Sequence, residues 1–189
     1  AIDAGTNSAP CLADWDNDGR TDLILGNTNG DIVVWPNIGT DANPVFGTSI
    51  SVMTGTGTSA APVVLNFYMD DKNHLVVGYG DGNVKVYYNQ GTRTAPDFSG
   101  SPYDSTLVTI PTNNAVPFFV DWDNDGKKDL LVGGADGNVY LFLNQRLDAS
   151  PDYSGAPSNV VATVSSYAVP CAVQDWNGDV EKDLVVGEG

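Results

Sequence analysis

Basic residues are scarce in this chain of 189 residues: eight Lys and Arg stand against 24 Asp and Glu, beside two cysteines and a single histidine. The net charge of −16 argues against a phosphate backbone or an anionic membrane as partner, so neither nucleic acid binding nor membrane insertion is expected. Two cysteines are too few for a disulfide scaffold. No Ser/His or Cys/His arrangement can be assembled around one histidine, which leaves catalysis little support. No apolar run approaches the roughly 20 residues of a membrane helix, and no segment keeps a helical period over about eleven residues. There is no Asn-x-Ser/Thr sequon and no signal peptide; the opening at Ala1 rather than Met predicts that a leader has been removed. An apolar content of 41% over this length suffices for one domain with a sizeable core.

What the chain does have is an acidic loop written three times, each running into an apolar strand. The copies are Asp14-Trp-Asp16-Asn-Asp18-Gly19-Arg20-Thr-Asp22, Asp121-Trp-Asp123-Asn-Asp125-Gly126-Lys127-Lys-Asp129 and Asp175-Trp-Asn177-Gly-Asp179-Val180-Glu181-Lys-Asp183. Oxygens at positions 1, 3, 5 and 9 can curl round a hard cation, and the backbone carbonyl at position 7 (Arg20, Lys127, Glu181) adds another ligand. Calcium, which takes six to eight oxygens at about 2.3–2.6 Å, is the expected occupant. An EF-hand is rejected, because position 12 is Leu25, Val132 or Val186 rather than Glu and the flanks read as strands. A plain polar turn of Asp, Asn and Gly is the bland alternative, but its carboxylates repel one another without a cation. Eleven acids occupy the ligand positions, so three Ca²⁺ would bring the charge from −16 to −10. The third loop is the weakest, since Asn177 replaces an Asp and Val180 the turn glycine. Such sites fill readily where calcium is millimolar, which predicts a secreted or cell-surface protein with structural calcium.

The residues after the loops, Leu23, Leu75, Leu130 and Leu184, recur at steps of 52, 55 and 54, a repeat architecture. Pro10, Pro62, Pro117 and Pro170 precede the loops. Asn29-Gly30, Asp81-Gly82 and Asp136-Gly137 are hairpin signals, followed at fixed distance by Asn37, Asn89 and Asn144 and then Phe46, Phe98 and Tyr153. Each unit reads as four strands: A at Cys11–Trp15 or Phe118–Trp122, and B at Leu23–Leu25 or Leu130–Val132. C is Ile32–Trp35, Val84–Tyr88 or Val139–Leu143, and D lies around Ile50–Met53, Leu107–Ile110 and Val160–Val164. Strand C is apolar on both faces, as sheets packed face to face require. The expected fold is an all-β propeller of four-stranded blades; a sandwich explains the alternation but not the period. As one domain over 1–189, it comprises 1–9 (end of an outer strand), blades 10–61, 62–116 and 117–169, and two strands of a fourth at 170–189. In the second unit the loop positions hold Asn66, Tyr68, Asp70 and His74 with Asp71 at the glycine position. Its metal site is expected to be lost, with His74 a surface substitution rather than a zinc or catalytic residue.

The unit Ala/Val-Pro…Asp-Trp-Asp-x-Asp-Gly-x-x-Asp-Leu-x-x-Gly…Asp-Gly-x-Val…Asn-x-Gly-Thr…Pro-x-Phe resembles the FG-GAP/VCBS repeats over nearly the whole chain. Those repeats build the integrin α-subunit propeller, calcium-containing fungal lectins and many bacterial secreted proteins. The resemblance implies calcium between strands A and B at Asp14, Asp16, Asp18, Asp22, Asp121, Asp123, Asp125, Asp129, Asp175, Asn177, Asp179 and Asp183. It also implies a non-catalytic role in binding or adhesion, to glycans or to a surface protein. Trp35, Tyr87 and Tyr103 are candidates for sugar stacking, though filling blade interfaces is the simpler role for them.

Both ends of the repeat array are unfinished. Ala4-Gly5-Thr6 matches the end of a strand D, and Gly187-Glu188-Gly189 follows a strand B. Exposed edges invite pairing, by closure of a four-bladed ring, by two arcs combining, or by each terminus completing the next subunit into a ring or filament. A homo-oligomer or polymer is therefore expected; a structural subunit of a surface layer and a fragment of a larger secreted enzyme are the alternatives. Cys11 and Cys171, each following a strand-A proline, either pair as a disulfide or stay as free thiols.

Overall fold

The computed structural model describes residues 2, 5–55, 57–66, 68, 70–99, 104–179 and 181–189. Tyr103, Val180 and Ala4 lie outside that set. Every described element is a strand, and all pairings are antiparallel.

Three sheets repeat one meander. β1 (Ala9–Ala13), β2 (Asp22–Gly26), β3 (Ile32–Trp35) and β4 (Ile50–Met53) form the first. The second is β5 (Ala61–Leu65), β6 (His74–Gly78), β7 (Asn83–Tyr87) and β8 (Asp104–Thr109). The third is β9 (Val116–Val120), β10 (Asp129–Gly133), β11 (Asn138–Phe142) and β12 (Asn159–Thr163). A two-stranded sheet, β13 (Ala168–Gln174) with β14 (Asp183–Glu188), follows. This is the blade arrangement of a β-propeller with an incomplete last blade. Turns between the second and third strands are set by Gly30, Gly82 and Gly137, whose φ of 80°, 84° and 81° suits glycine far better than a residue with a Cβ.

The core lies between consecutive sheets. In β6, Leu75 and Val77 pack with Ile24, Ile32 and Val34 of the first sheet, while the intervening Val76 packs with Leu130 and Val132 of the third. All five residues of β6 and of β10 are buried. Both faces of these strands are thus in the core, and each Val or Leu buried there contributes about 1.5–3 kcal/mol. Leu131, Val139 and Leu141 continue the stack onto Leu184 and Val186 of the last sheet. Among the described residues, the packing that joins consecutive sheets is not repeated between the last sheet and the first.

One joint is used three times. A Cβ added to Gly26, Gly78 or Gly133 would lie 2.1 Å from the carbonyl oxygen of Ala60, Ala115 or Ala168, and within 2.8 Å of the ring of Pro62, Pro117 or Pro170. The glycine ending the second strand is therefore where the next blade's first strand crosses. The connectors add backbone bonds across the joint: Ala60, Ala115 and Ala168 N–H groups donate to Asn27, Tyr79 and Gly134 carbonyls at 2.9, 2.9 and 3.0 Å.

Strand A begins and ends two residues earlier than the sequence suggests, at Ala9–Ala13 and Val116–Val120. The reason is local: the Trp15 and Trp122 N–H groups donate to the Asp22 and Asp129 carboxylates at 2.9 and 2.8 Å, which turns the chain into the loop. Cys171 also departs from expectation. The ladder runs Pro170↔Val186 and then Ala172↔Val185, so Cys171 is the extra residue of a bulge and not the register equivalent of Cys11, which faces Ile24. Both thiols are free. Burial pushes the Cys11 thiol up, and Cys171 is exposed with its Sγ 3.3 Å from the Val185 carbonyl oxygen.

Candidate metal centre

Each acidic loop joins the first strand of a blade to the second and is wired by its own carboxylates. At position 1, Asp14 accepts the N–H groups of Asp18 and Gly19 (both 3.0 Å), and Asp121 those of Asp125 and Gly126 (3.1 and 3.0 Å). At position 3, Asp16 and Asp123 each accept the N–H of position 5 at 3.2 Å. At position 5, Asp18, Asp125 and Asp179 accept the N–H of Arg20, Lys127 and Glu181, all at 2.9 Å. Asn17 and Asn124 hold φ of 54° and 63°, a left-handed conformation that Asn tolerates.

Position 9 does more than the sequence reading gave it. Asp22 is buried, with one oxygen on Trp15 N–H and the other on Asn37 N–H at 2.7 Å; Asp129 holds Trp122 and Asn144 N–H groups at 2.8 Å each. This carboxylate pins the loop to the end of the third strand. The Asn it meets organises the next loop in turn: the Oδ1 atoms of Asn37, Asn89 and Asn144 each accept N–H groups two and eight residues ahead. Their regular recurrence was the signal available in the sequence.

The structure brings Asp14, Asp16 and Asp18 together, and likewise Asp121, Asp123 and Asp129, with one carboxylate oxygen of each within 4.8 Å of the others. Oxygens bound to one ion at about 2.3–2.6 Å can lie no more than about 5 Å apart, so these spacings fit a hard divalent cation. Electrostatics agree. Desolvation first, then the charges of Asp18, Asp22 and Asp14, pushes the Asp16 carboxyl up, and desolvation leads the same upward shift at Asp22 and Asp129. Carboxylates that resist ionising beside one another are relieved by a cation. The donor set is all oxygen, as calcium prefers.

In the third loop Asp175 accepts the Gly178 and Asp179 N–H groups (2.6 and 3.0 Å), Asn177 Oδ1 accepts Asp179 N–H at 2.9 Å, and Asp183 accepts Trp176 N–H at 2.8 Å. The wiring is kept only in part: Asp175 accepts the N–H groups of positions 4 and 5 where Asp14 and Asp121 accept those of 5 and 6, and Asp183 accepts the Trp176 and Asn177 N–H groups of its own loop.

The second unit corrects the expectation for His74, which is buried and not a surface residue. Its Nδ1 accepts the Asn89 N–H at 3.2 Å, where Asp22 and Asp129 use a carboxylate oxygen, and Nε2 donates to Asp70 Oδ1 at 3.0 Å. That pattern fixes the neutral tautomer with the proton on Nε2. Tyr68 stacks on Tyr88 at 5.0 Å and meets the His74 ring edge-on at 5.5 Å. Imidazole and phenol rings occupy the space that carboxylates fill elsewhere. Tyr87 lies in the core with its hydroxyl 2.7 Å from that of Tyr79, and Trp35 is half-buried, so Tyr87 serves the blade interface.

Four features now coincide: a period of 52–55 residues, a four-stranded meander per period, an acidic loop between its first two strands, and a glycine–proline joint. The family model described as FG-GAP-like repeat matches residues 66–132 and 121–186, well over half of the chain. The chain belongs to the FG-GAP-like repeat family.

Proposed function

We propose that the protein is a non-catalytic, extracellular β-propeller module for binding or adhesion, with calcium held as a structural ion in its acidic loops. Repeats of this family are typical of extracellular proteins and generally non-catalytic. The observation that carries the calcium reading is the convergence of three carboxylates within 4.8 Å in each of two loops. Asp14, Asp16, Asp18 and Asp22 would hold one ion with the Arg20 carbonyl, and Asp121, Asp123, Asp125 and Asp129 another with that of Lys127. Asp175, Asn177, Asp179, Asp183 and the Glu181 carbonyl would hold a third. Bound calcium supplies charge neutralisation and nothing chemical. The residues themselves fix the turn, because the carboxylates of Asp14, Asp16, Asp121 and Asp123 already accept loop N–H groups. A groove beside the first loop, bordered by Trp15, Asp16, Pro36, Ser51, Pro96 and Asp97, is a place where a ligand could meet both a blade junction and a metal loop. Calorimetric titration with calcium, paired with melting curves in calcium and in chelator, tests the reading. Absence of binding heat together with superimposed melts refutes it.

A second reading, self-association by blade addition, is favoured by the last sheet. Gly187 occupies the joint position, yet a Cβ there meets only Val169 of its own sheet, at 3.6 Å. Trp176 is 75% exposed, whereas its counterpart Trp15 is covered by Phe98 of the following blade at 5.4 Å. Ser8, Pro10 and Phe46 of a second copy correspond by repeat spacing to Ala60, Pro62 and Phe98 and would repeat those contacts. Light scattering over a concentration series tests this; a monomer at every concentration refutes it.

A further inference from the structure

We propose that Arg20 and Lys127 act as tethered cations that compete with calcium, so that the side chain at loop position 7 sets how tightly each loop holds its ion. The proposal rests on the calcium reading above. In the sequence these residues enter only through a backbone carbonyl; the structure gives their side chains a second part to play. The Arg20 guanidinium folds back onto Asp18 Oδ2, and the Lys127 ammonium folds back onto Asp125 Oδ2. Two different basic residues, in two blades, thus each reach the position-5 carboxylate of their own loop.

Lys127 also donates to the Asn144 carbonyl oxygen at 3.2 Å, which ties it to the end of the third strand beside position 9. The charges of Asp125, Asp123 and Asp129 all act on its ammonium. The ammonium therefore sits against Asp125, one of the proposed ligands, and within the field of the Asp123 and Asp129 carboxylates. In Arg20 the Nε is buried with no hydrogen-bond partner, so the guanidinium is anchored through its ion pair with Asp18. An ammonium or guanidinium on a position-5 oxygen takes part of the charge that attracts calcium. An arriving ion must displace it or bind beside a like charge.

The third loop provides the internal contrast. Position 7 is Glu181, whose N–H bonds Asp179 as its counterparts do but whose side chain is anionic. That loop has no cation of its own at this position. The ammonium of Lys182, the next residue, instead crosses to the neighbouring blade, donating to the Trp122 carbonyl oxygen at 3.1 Å and to Asn124 Oδ1 at 2.5 Å.

The test is a calcium titration of the full chain followed by NMR at the amide signals of Gly19, Gly126 and Gly178, one in each loop. Lys127→Met keeps the alkyl stem and removes the charge. Calcium should then bind roughly two- to fivefold tighter at the Gly126 loop, the size expected for a partly exposed ion pair, with the other two signals titrating as before. Glu181→Lys should weaken binding at Gly178 by a similar factor, and it keeps the proposal testable if Lys127→Met folds poorly in chelator. Wild-type binding at the three loops with unchanged affinity in both variants overturns the tethered-cation proposal alone. Three glycine signals that ignore calcium in the wild type overturn the calcium reading and this proposal with it.

Discussion

Replacing Gly78 by Ala puts one methyl group into the joint between the second and third blades. The added Cβ falls 2.1 Å from the Ala115 carbonyl oxygen and 2.7 Å from the Pro117 ring, against ordinary contact beyond about 3.4 Å. The obstacle is backbone, so no side chain can swing aside. The following blade must retreat by about 1 Å, which strains or breaks the 2.9 Å bond from Ala115 N–H to the Tyr79 carbonyl. Overpacking costs about 1–3 kcal/mol and a lost buried hydrogen bond about 1 kcal/mol more. A total near 3 kcal/mol corresponds to a fall of roughly 6–12 °C in Tm for a chain of this length. Gly187→Ala is the matched control, because its nearest neighbours are 3.6 and 3.7 Å away and belong to its own strand pair. Its stability should change by less than about 0.5 kcal/mol. Differential scanning calorimetry in calcium reads both. Equal losses in the two variants would refute the joint as described. A Gly187→Ala protein of normal Tm that no longer associates would, in addition, support blade addition at that face.

Further outcomes follow from the loops. Asp123→Ala should lower Tm in calcium, and the part of the chelator response that belongs to that site should vanish; an unchanged chelator response counts against Asp123 as a ligand. His74→Ala removes a buried ring and two hydrogen bonds and should cost about 2–4 kcal/mol by urea unfolding, equally with and without calcium. A loss seen only in calcium would mean that the ring serves a metal. Asp97 and Asp152 are held below the ordinary carboxylate range first by the side-chain hydrogen bonds of Ser99 and Ser154. A depressed carboxylate stabilises the fold above its unfolded pKa and ceases to as pH falls through the folded one. The Ser99→Ala/Ser154→Ala double variant should therefore be less stable above about pH 4, and its deficit should close in stronger acid. A deficit that is flat across pH refutes the assignment.

Much of this architecture was legible because the repeat writes the same constraints several times. Ile32–Trp35 was placed to the residue, since a turn signal and a β-branched run bound it, and the fourth strand lies in the stretch around Ile50–Met53 where it was expected. Strand A was misplaced because Trp15 and Trp122 read as strand formers, while their N–H groups belong to Asp22 and Asp129, a bond that only the folded loop reveals. The bulge at Cys171 was countable in advance: four residues lie between Pro170 and Asp175, against three between Pro117 and Asp121. The roles of His74 and of the Arg20 and Lys127 side chains were not legible, because they depend on where a third strand ends or a flexible stem turns. The spacing that gathers the loop carboxylates was legible; the part of Asp22 and Asp129 as clamps on the end of the third strand was not.

The imidazole in the second blade has a practical consequence for how the module would come apart. On the calcium reading, loops 14–22 and 121–129 would depend on a solute that the surroundings can withdraw, whereas in the second blade His74 is its own fastening, bonded to Asp70 and to Asn89. In calcium-poor medium, protease nicking should begin at the two flanking hairpins and spare the middle one, which leaves the second blade as the most persistent piece of the array.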